Sequence, residues 1–352
     1  DAEEYIVIDG SECDITTAAT CVADTASNSG AAVVTLNSGT ATLTWTADDG
    51  TMTDAKMVTL IDALAYKNDD QSPTESNRVI TITQLDDEGS TGGNHDNSVS
   101  LSLAATVTVV AVDDDPAFSA GGNTGAYTED AGGTVTDTVS ATDADGETVT
   151  YSCTGCTDAG ATQTLTDVYG SWVLTEATGV WVYTPNDSDN DLNSLNAAEG
   201  ASETMVIVAA DASGGTTDSV TVTITITGAN DAPTTSAGSK TTAEDTLVTL
   251  ADSDFAFSDV DDAHTAFTRI YIKDLESSGD LECYARNGVG AAWADCQDED
   301  YVTSGAYIRL TPATDSTDTV TFNFCVYDGV ACSASTQFSI TVTPSNDAPT
   351  IS

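Results

Sequence analysis

Apolar and polar residues alternate along four long stretches of this chain, two of them with local breaks in the period. In SVTVTITIT (219–227), Val220, Val222, Ile224 and Ile226 share one face and the threonines between them share the other. TVTFNFCVY (319–327) sets Val320, Phe322, Phe324 and Val326 in the same relation, and RVITITQL (78–85) and LSLAATVTVVAV (101–112) repeat it. A period of two predicts β-strands with one buried face, and β-branched residues suit that pleated surface. Clusters of Gly, Asn and Asp interrupt these runs at short intervals, so the expected class is all-β, a series of sandwiches. Helical periodicity is nearly absent; LNSLNAAEG (192–200) suggests a single turn or a small helix. SWVLTEATGVWVYT (171–184) reads as a hairpin in which Trp172 and Trp181 flank EATG. The two indoles are expected in a core or as a cross-strand pair, the other reading being a platform for sugar.

A short acidic motif punctuates the strands. Asn-Asp-Ala-Pro occupies 230–233 and again 346–349, and Asp-Asp-Asp-Pro occupies 113–116. Each follows a long alternating run. Proline cannot continue a hydrogen-bonded ladder, so it marks a boundary. Further acids follow at matching offsets. After Asp113 and Asp114 come Glu129-Asp130 in YTEDAGG and then Asp143 and Asp145 in ATDADGE. After Asn230 and Asp231 come Glu244-Asp245 in TAEDTLV and then Asp259 and Asp261 in SDVDDAH. An acid also ends the strand before each linker: Asp86-Asp87 in QLDDEG, Asp211 in AADASGG and Asp328 in VYDGVAC. The repeat divides the chain into modules at 1–112, 113–229 and 230–352.

Charge sharpens this picture. Lys+Arg is 8 and Asp+Glu is 57, a formal net charge of −49. Nucleic acid and insertion into membrane are thereby disfavoured, since binding to nucleic acid or anionic lipid needs a basic patch and no apolar run is long enough to span a bilayer. Divalent cations are favoured, and an all-oxygen donor set suits calcium. With 40% hydrophobic residues the chain has enough apolar side chains to build cores, so disorder is the weaker reading. No signal peptide is visible at Asp1, so the chain is read as a mature protein or a segment of a longer one. The 8 cysteines fall into four close pairs: Cys13 with Cys21, Cys153 with Cys156, Cys283 with Cys296, and Cys325 with Cys332. His95 and His264 stand apart from all of them. Local disulfides fit this pattern better than zinc and place the chain in an oxidising, extracellular setting. CTGC (153–156) reads as a stapled turn rather than a redox site, because no βαβ context surrounds it.

The order of acid after the first strand, Asp-x-Asp, strand-end Asp and Asn-Asp-x-Pro resembles the calcium pattern of cadherins. More narrowly it is similar to the cadherin-like and VCBS-type repeats of large bacterial surface adhesins. Residues 113–229 resemble a VCBS repeat through TEDAGGTVTDTVSATDADGETVTYS and YGSWVLTEATGVWVYTPN; residues 230–352 resemble its cadherin-like relative through FAFSDVDD and FNFCVYDG; residues 1–112 are a divergent module. The resemblance implies tandem Ig/cadherin-like antiparallel β-sandwiches with Ca2+ at the junctions. At one junction it implies Glu129 and Asp211 from below, Asn230 and Asp231 from the linker, and Asp259 and Asp261 from above. At the other it implies Asp86 or Asp87, Asp113, Asp114, Asp143 and Asp145. Glu244, Asp328, Asn346 and Asp347 would be the lower half of a further junction. Gly228 and Ala232 depart from the cadherin linker, where acid and amide ligands stand, so fewer ions per junction are expected. The plain alternative is that these acids are solvated turn residues. Asp187, Asp189 and Asp191 imitate the start of an EF-hand loop, but Leu192 and Ala198 stand where Gly and the final acid should be. No Ser-His-Asp or Cys-His constellation has a catalytic spacing, so an enzyme is not expected. The expected function is a calcium-rigidified structural repeat of a microbial adhesin or extracellular fibre, joined head to tail to further copies or repeats. A carbohydrate- or protein-binding module of a secreted protein, meeting cell-surface glycans or proteins, is the alternative.

Overall fold

The computed structural model describes residues 3–8, 10–18, 20–21, 30–37, 39–47, 53–86, 99–261, 266–275 and 280–346. The fold is all-β, with one α-helix among the described residues and no helix long and apolar enough to cross a membrane. The chain forms two compact units. The first holds residues 1–119 with 141–150 and 209–218, and the second holds 120–140, 151–208 and 219–352.

In the first unit, β1 (Glu4–Ile8), β2 (Ser11–Asp14), β3 (Thr20–Cys21), β4 (Gly30–Asn37), β5 (Thr40–Ala47) and β6 (Ala65–Asn68) build two three-stranded sheets, ordered β2-β1-β6 and β3-β4-β5. Helix α1 (Asp54–Asp62) lies between β5 and β6 in the chain. Thr53 caps it by accepting the Lys56 N–H, and Asp54 sits at its positive end. Met57, Leu60 and Leu64, spaced for one helix face, join Ile8, Cys13, Ala32 and Val34 in a small core. β7 (Asn77–Leu85) and β8 (Val99–Thr108) form a separate antiparallel ribbon. Its apolar residues alternate as expected, yet Val79 and Leu103 remain 64% and 61% exposed. β9 (Ala117–Phe118) ends this stretch.

The second unit contains two sandwiches. The first is built from β10 (Thr124–Thr128), β11 (Val135–Thr138), β13 (Thr150–Cys153), β14 (Thr157–Asp158), β15 (Thr162–Thr166), β16 (Gly170–Thr175), β17 (Val180–Pro185), β18 (Gly200–Ala210) and β19 (Asp218–Thr227). Its sheets run β10-β19-β18-β13 and β11-β17-β16-β15-β14. The short β12 (Ala141–Thr142) pairs instead with β9, inside the first unit. Val222, Ile224 and Ile226 are buried while the intervening threonines are not, which is the alternation read from the sequence. Trp172 and Trp181 are both fully buried, with ring centroids 5.9 Å apart, so the hairpin indoles belong to the core. Residues 192–200 form turns rather than a helix.

The other sandwich comprises β20 (Gly238–Ala243), β21 (Val248–Leu250), β22 (Arg269–Leu275), β23 (Asp280–Tyr284), β24 (Trp293–Asp295), β25 (Tyr301–Thr303), β26 (Ile308–Thr311), β27 (Val320–Tyr327) and β28 (Thr336–Thr343). Sheets β20-β28-β27-β22-β25 and β21-β26-β23-β24 enclose one core, with Phe255, Phe322, Phe324 and Phe338 at its centre. Three disulfides hold the described cysteine pairs Cys153–Cys156, Cys283–Cys296 and Cys325–Cys332. Cys13 is also disulfide-bonded, and the Cys21 side chain lies outside those described.

These sheets depart from pure antiparallel pairing in one respect. β10 runs parallel to β19, and β20 runs parallel to β28. A module that takes the chain in at one end and passes it out at the other needs its first and last strands to run the same way.

Candidate metal centres

Glu129 follows β10 and sits at the end where β19 finishes. Its N–H donates to the Thr227 carbonyl at 2.9 Å, and its Oε2 accepts the Ala229 N–H at 2.9 Å. The turn behind it is made by Asp130 at φ 59°, a left-handed position that Asp tolerates better than most residues. Glu129 is only 2% exposed, and its Oε1 meets no hydrogen-bond partner among the described residues. Burial pushes Glu129 up to about 7, with Asp231 and Asp130 adding to the rise against the Ala229 N–H. Asp231 is pushed up to about 6, first by burial and then by Asp130 and Asp261.

The linker residues meet the next sandwich at the same place. The Asp231 N–H donates to Asp261 Oδ2 at 3.0 Å, and the Asp261 N–H to Asp259 Oδ1 at 3.1 Å. Asn230 donates through Nδ2 to Asp328 Oδ2 at 3.2 Å, which leaves its Oδ1 buried without a hydrogen bond. Asp231 Oδ2 is likewise buried and unpartnered. A cleft of about 680 Å³, lined by Asn190, Asp191, Asp231 and Asp259 among others, opens this cluster to solvent. The donors are carboxylates and an amide carbonyl, several with unused lone pairs. Among the described residues no cationic side chain forms an ion pair with Glu129 or Asp231. Such a hard-oxygen set fits calcium.

The first unit repeats two of these bonds. The Asp114 N–H donates to Asp145 Oδ2 at 2.7 Å, and the Asp145 N–H to Asp143 Oδ1 at 2.9 Å. Asp113, Glu147 and Asp211 bring their ligand oxygens within 4.8 Å of one another. Asp143 Oδ2 and Asp211 Oδ2 are buried without partners among the described residues. The Asp115 carboxylate accepts the Thr216 N–H at 2.7 Å, fastening the loop after Asp211 to the linker. Gly215 permits that approach, since a Cβ there would lie 2.8 Å from Asp113 Oδ2 and 2.9 Å from Asp115 Oδ1.

Asp211 was expected beside Glu129, and Asp328 in a set with Glu244. The structure places Asp211 with Asp113 and Asp328 with Asn230. Strand direction is the reason. β20 is parallel to β28 and β27 is antiparallel to it, so the end of β27 returns to the end where β20 begins. An acid that follows β27 therefore faces the preceding linker. Glu244 keeps a different company: its N–H donates to the Thr343 carbonyl at 2.9 Å and its Oε1 accepts the Ser345 N–H at 2.6 Å, the bonds that Glu129 makes in its own sandwich. Asn346 is exposed beyond Ser345. Asp86 takes the Gln84 amide at 2.6 Å and is not part of the Asp113 group. Asp87 and Asp347 lie outside the described residues. Glu147, Asp130 and Asp115 were not among the expected ligands. Glu147 could have been found by extending Asp143-x-Asp145 one more alternate position.

Gly228 also acquires a reason. A Cβ at this buried position would lie 2.4 Å from the carbonyl oxygens of both Leu195 and Asn196. The turns at 192–200 press against the linker where the cadherin pattern carries an acid.

No protein-family profile and no curated protein matches the chain. Among solved structures it is similar to the extracellular cadherin domains 3–6 of protocadherin gamma B2, at 14% identity over 95% of this chain and 69% of that one, with a TM-score of 0.41. It is also similar to the protocadherin gammaB7 EC3–6 cis-dimer, at 15% identity, 97% and 78% coverage and TM-score 0.42. A third is human CDH23 EC21–23, at 16% identity, 97% and 89% coverage and TM-score 0.38.

Proposed function

We propose that the chain is a structural, non-enzymatic segment of an extracellular adhesin or fibre, of the cadherin-like and VCBS-like microbial kind, with modules at 1–112, 113–229 and 230–352 stiffened by calcium at their junctions. The observation that carries this reading is Glu129: a residue 2% exposed, with one carboxyl oxygen unsatisfied, in the repulsive field of Asp231, Asp130 and Asp261. A buried anion among like charges is costly unless a cation joins it. Calcium accepts six to eight oxygens and would relieve every unsatisfied oxygen in the set. In one centre Glu129, Asn230, Asp231, Asp259, Asp261 and Asp328 would hold it; in the other Asp113, Asp114, Asp143, Asp145, Glu147 and Asp211. An active site is normally single, whereas the bonds from the linker Asp to the Asp-x-Asp pair recur in both places. Disulfides at three described pairs fit an extracellular location. Because Glu244 repeats the contacts of Glu129, it is suited to a third centre completed by carboxylates of a further repeat or a neighbouring copy, head to tail.

Isothermal titration with calcium tests the reading. Wild-type protein is expected to bind with Kd on the order of 10⁻⁴–10⁻³ M, as extracellular calcium modules do. Asp231→Ala and Asp261→Ala should each remove the binding attributed to the Glu129 centre and leave that of the Asp113 centre. Unchanged isotherms in both variants would overturn the assignment.

A further inference from the structure

The outer face of β22, β25 and β27 carries a different chemistry from the rest of this acidic chain. Ile270, Ile272, Val302 and Val326 point into the core, so Arg269, Tyr271, Tyr301 and Tyr327 occupy the opposite face. The Arg269 guanidinium carbon lies 4.6 Å from the Tyr301 ring centroid and 5.5 Å from that of Tyr327. Nη1 of Arg269 donates to the Tyr271 hydroxyl at 3.2 Å. Tyr271 packs 5.4 Å from Tyr301 and 5.6 Å from Tyr327, with its ring tilted 50° and 80° to theirs.

Arg269 has no carboxylate partner among the described residues. The other arginines all do: Arg78 with Glu4, Arg286 with Asp300 at 2.9 Å, and Arg309 with Glu282 at 2.6 Å. In a chain with 57 acidic and 8 basic residues, an arginine held among tyrosines rather than acids is the exception that asks for a reason. Three tyrosines fix the guanidinium by cation–π contact and one hydrogen bond, and leave part of its donor fork unused. Tyrosine and arginine in one half-buried patch is also the composition of protein-interface hot spots.

We propose that this face is a docking surface for a carboxylate-bearing loop of a second copy of this chain, with Arg269 as the anchor and the tyrosines as the apolar surround. Charge complementarity selects that occupant, because almost any other surface a copy presents is rich in acid. The tilted rings offer no coplanar strip on which a run of sugar rings could lie, which favours protein over glycan. The contact is lateral, on a sheet face; Tyr327 adjoins Asp328 in the chain, so the test is run in saturating calcium.

Sedimentation velocity over a concentration series, in saturating calcium and about 0.15 M salt, tests it. The wild-type chain is expected to show concentration-dependent association, and Arg269→Glu to weaken it about 30-fold. Arg269→Lys should retain part of the effect, since it keeps the charge and loses the planar fork. Lys56→Glu on α1 changes net charge equally and should leave association intact. Unchanged thermal melts would show that each variant is folded. A wild-type chain that stays monomeric throughout, or association indifferent to Arg269→Glu, would overturn the proposal. So would Arg269-dependent binding of an oligouronate without self-association, which would make the occupant a glycan.

Discussion

At the scale of single residues, the acids of this chain separate by what surrounds them. Glu203 is 4% exposed on β18, and burial holds its carboxyl above the ordinary range, opposed by the Tyr169 N–H and the Tyr183 hydroxyl and reinforced by Asp167. A carboxyl whose folded pKa is raised contributes stability below its unfolded pKa and loses it as pH rises through the folded value. In saturating calcium, Glu203→Gln should therefore raise stability at pH 8 by on the order of 1 kcal/mol and leave it unchanged near pH 4, read from denaturant midpoints. A variant equally sensitive to pH would show that Glu203 is not the titrating group. Glu129 and Asp231 share this sign in chelator: with values of about 7 and about 6, their stabilisation is present in acid and lost as pH rises from the ordinary carboxylate range to about 7. Calcium should reverse that trend, because it binds the ionised forms. Gly228 gives a third expectation. Gly228→Asp, which restores the acid of the cadherin linker, should lower the melting temperature rather than add a ligand, since its Cβ would press on the Leu195 and Asn196 carbonyls. A tighter calcium isotherm with no loss of stability would contradict this.

At the scale of elements, alternation made β7, β19 and β27 legible, because in them propensity and period agree. Helix α1 escaped notice because its signal is short: one cap at Thr53 and the spacing of Met57, Leu60 and Leu64, within a chain otherwise written in period two. The acids of the two centres were legible as a recurring order, but their grouping was not. Grouping depends on which end of a sandwich a strand reaches, and that follows from the parallel pairing of β20 with β28 and the antiparallel return of β27, which no local pattern encodes. Asp211 and Asp328 were displaced by one linker for that reason. Disulfides were readable from spacing because each pairs neighbours in sequence. Cys283–Cys296 joins β23 to the end of β24, whose register sets Cys283 opposite Ala294. Replacing both by Ala should cost roughly 2–4 kcal/mol, measured by chemical denaturation. A loss below about 0.5 kcal/mol would mean the strands hold their pairing without the staple.

At the scale of the whole molecule, a net charge of −49 weighs most on the places where carboxylates are forced together, and here they are forced together at the linkers. The segment around Ala229–Asp231 is held to its neighbours largely by hydrogen bonds into carboxylates: the Ala229 N–H to Glu129, the Asp231 N–H to Asp261, and Asn230 to Asp328. These are bonds to groups that repel one another, so the proposed calcium would be expected to strengthen them. Removing calcium should therefore loosen this segment before either sandwich unfolds, since each sandwich has its own apolar core and one is closed by Cys283–Cys296. Limited proteolysis with an acid-specific endoprotease makes this visible. In chelator, cleavage is expected first at the acidic linkers, between residues 228 and 234 and around Asp113–Asp115, before cleavage within either sandwich. In millimolar calcium the same bonds should be protected roughly tenfold, in line with a ligand that stabilises the closed form by RT ln(1 + [L]/Kd). Asp261→Ala should be cut between residues 228 and 234 at the chelator rate in both conditions, because it lacks the carboxylate that receives the linker N–H. Equal cutting of the wild-type chain with and without calcium would separate the acidic linkers from any stiffening role and leave them as solvated turns.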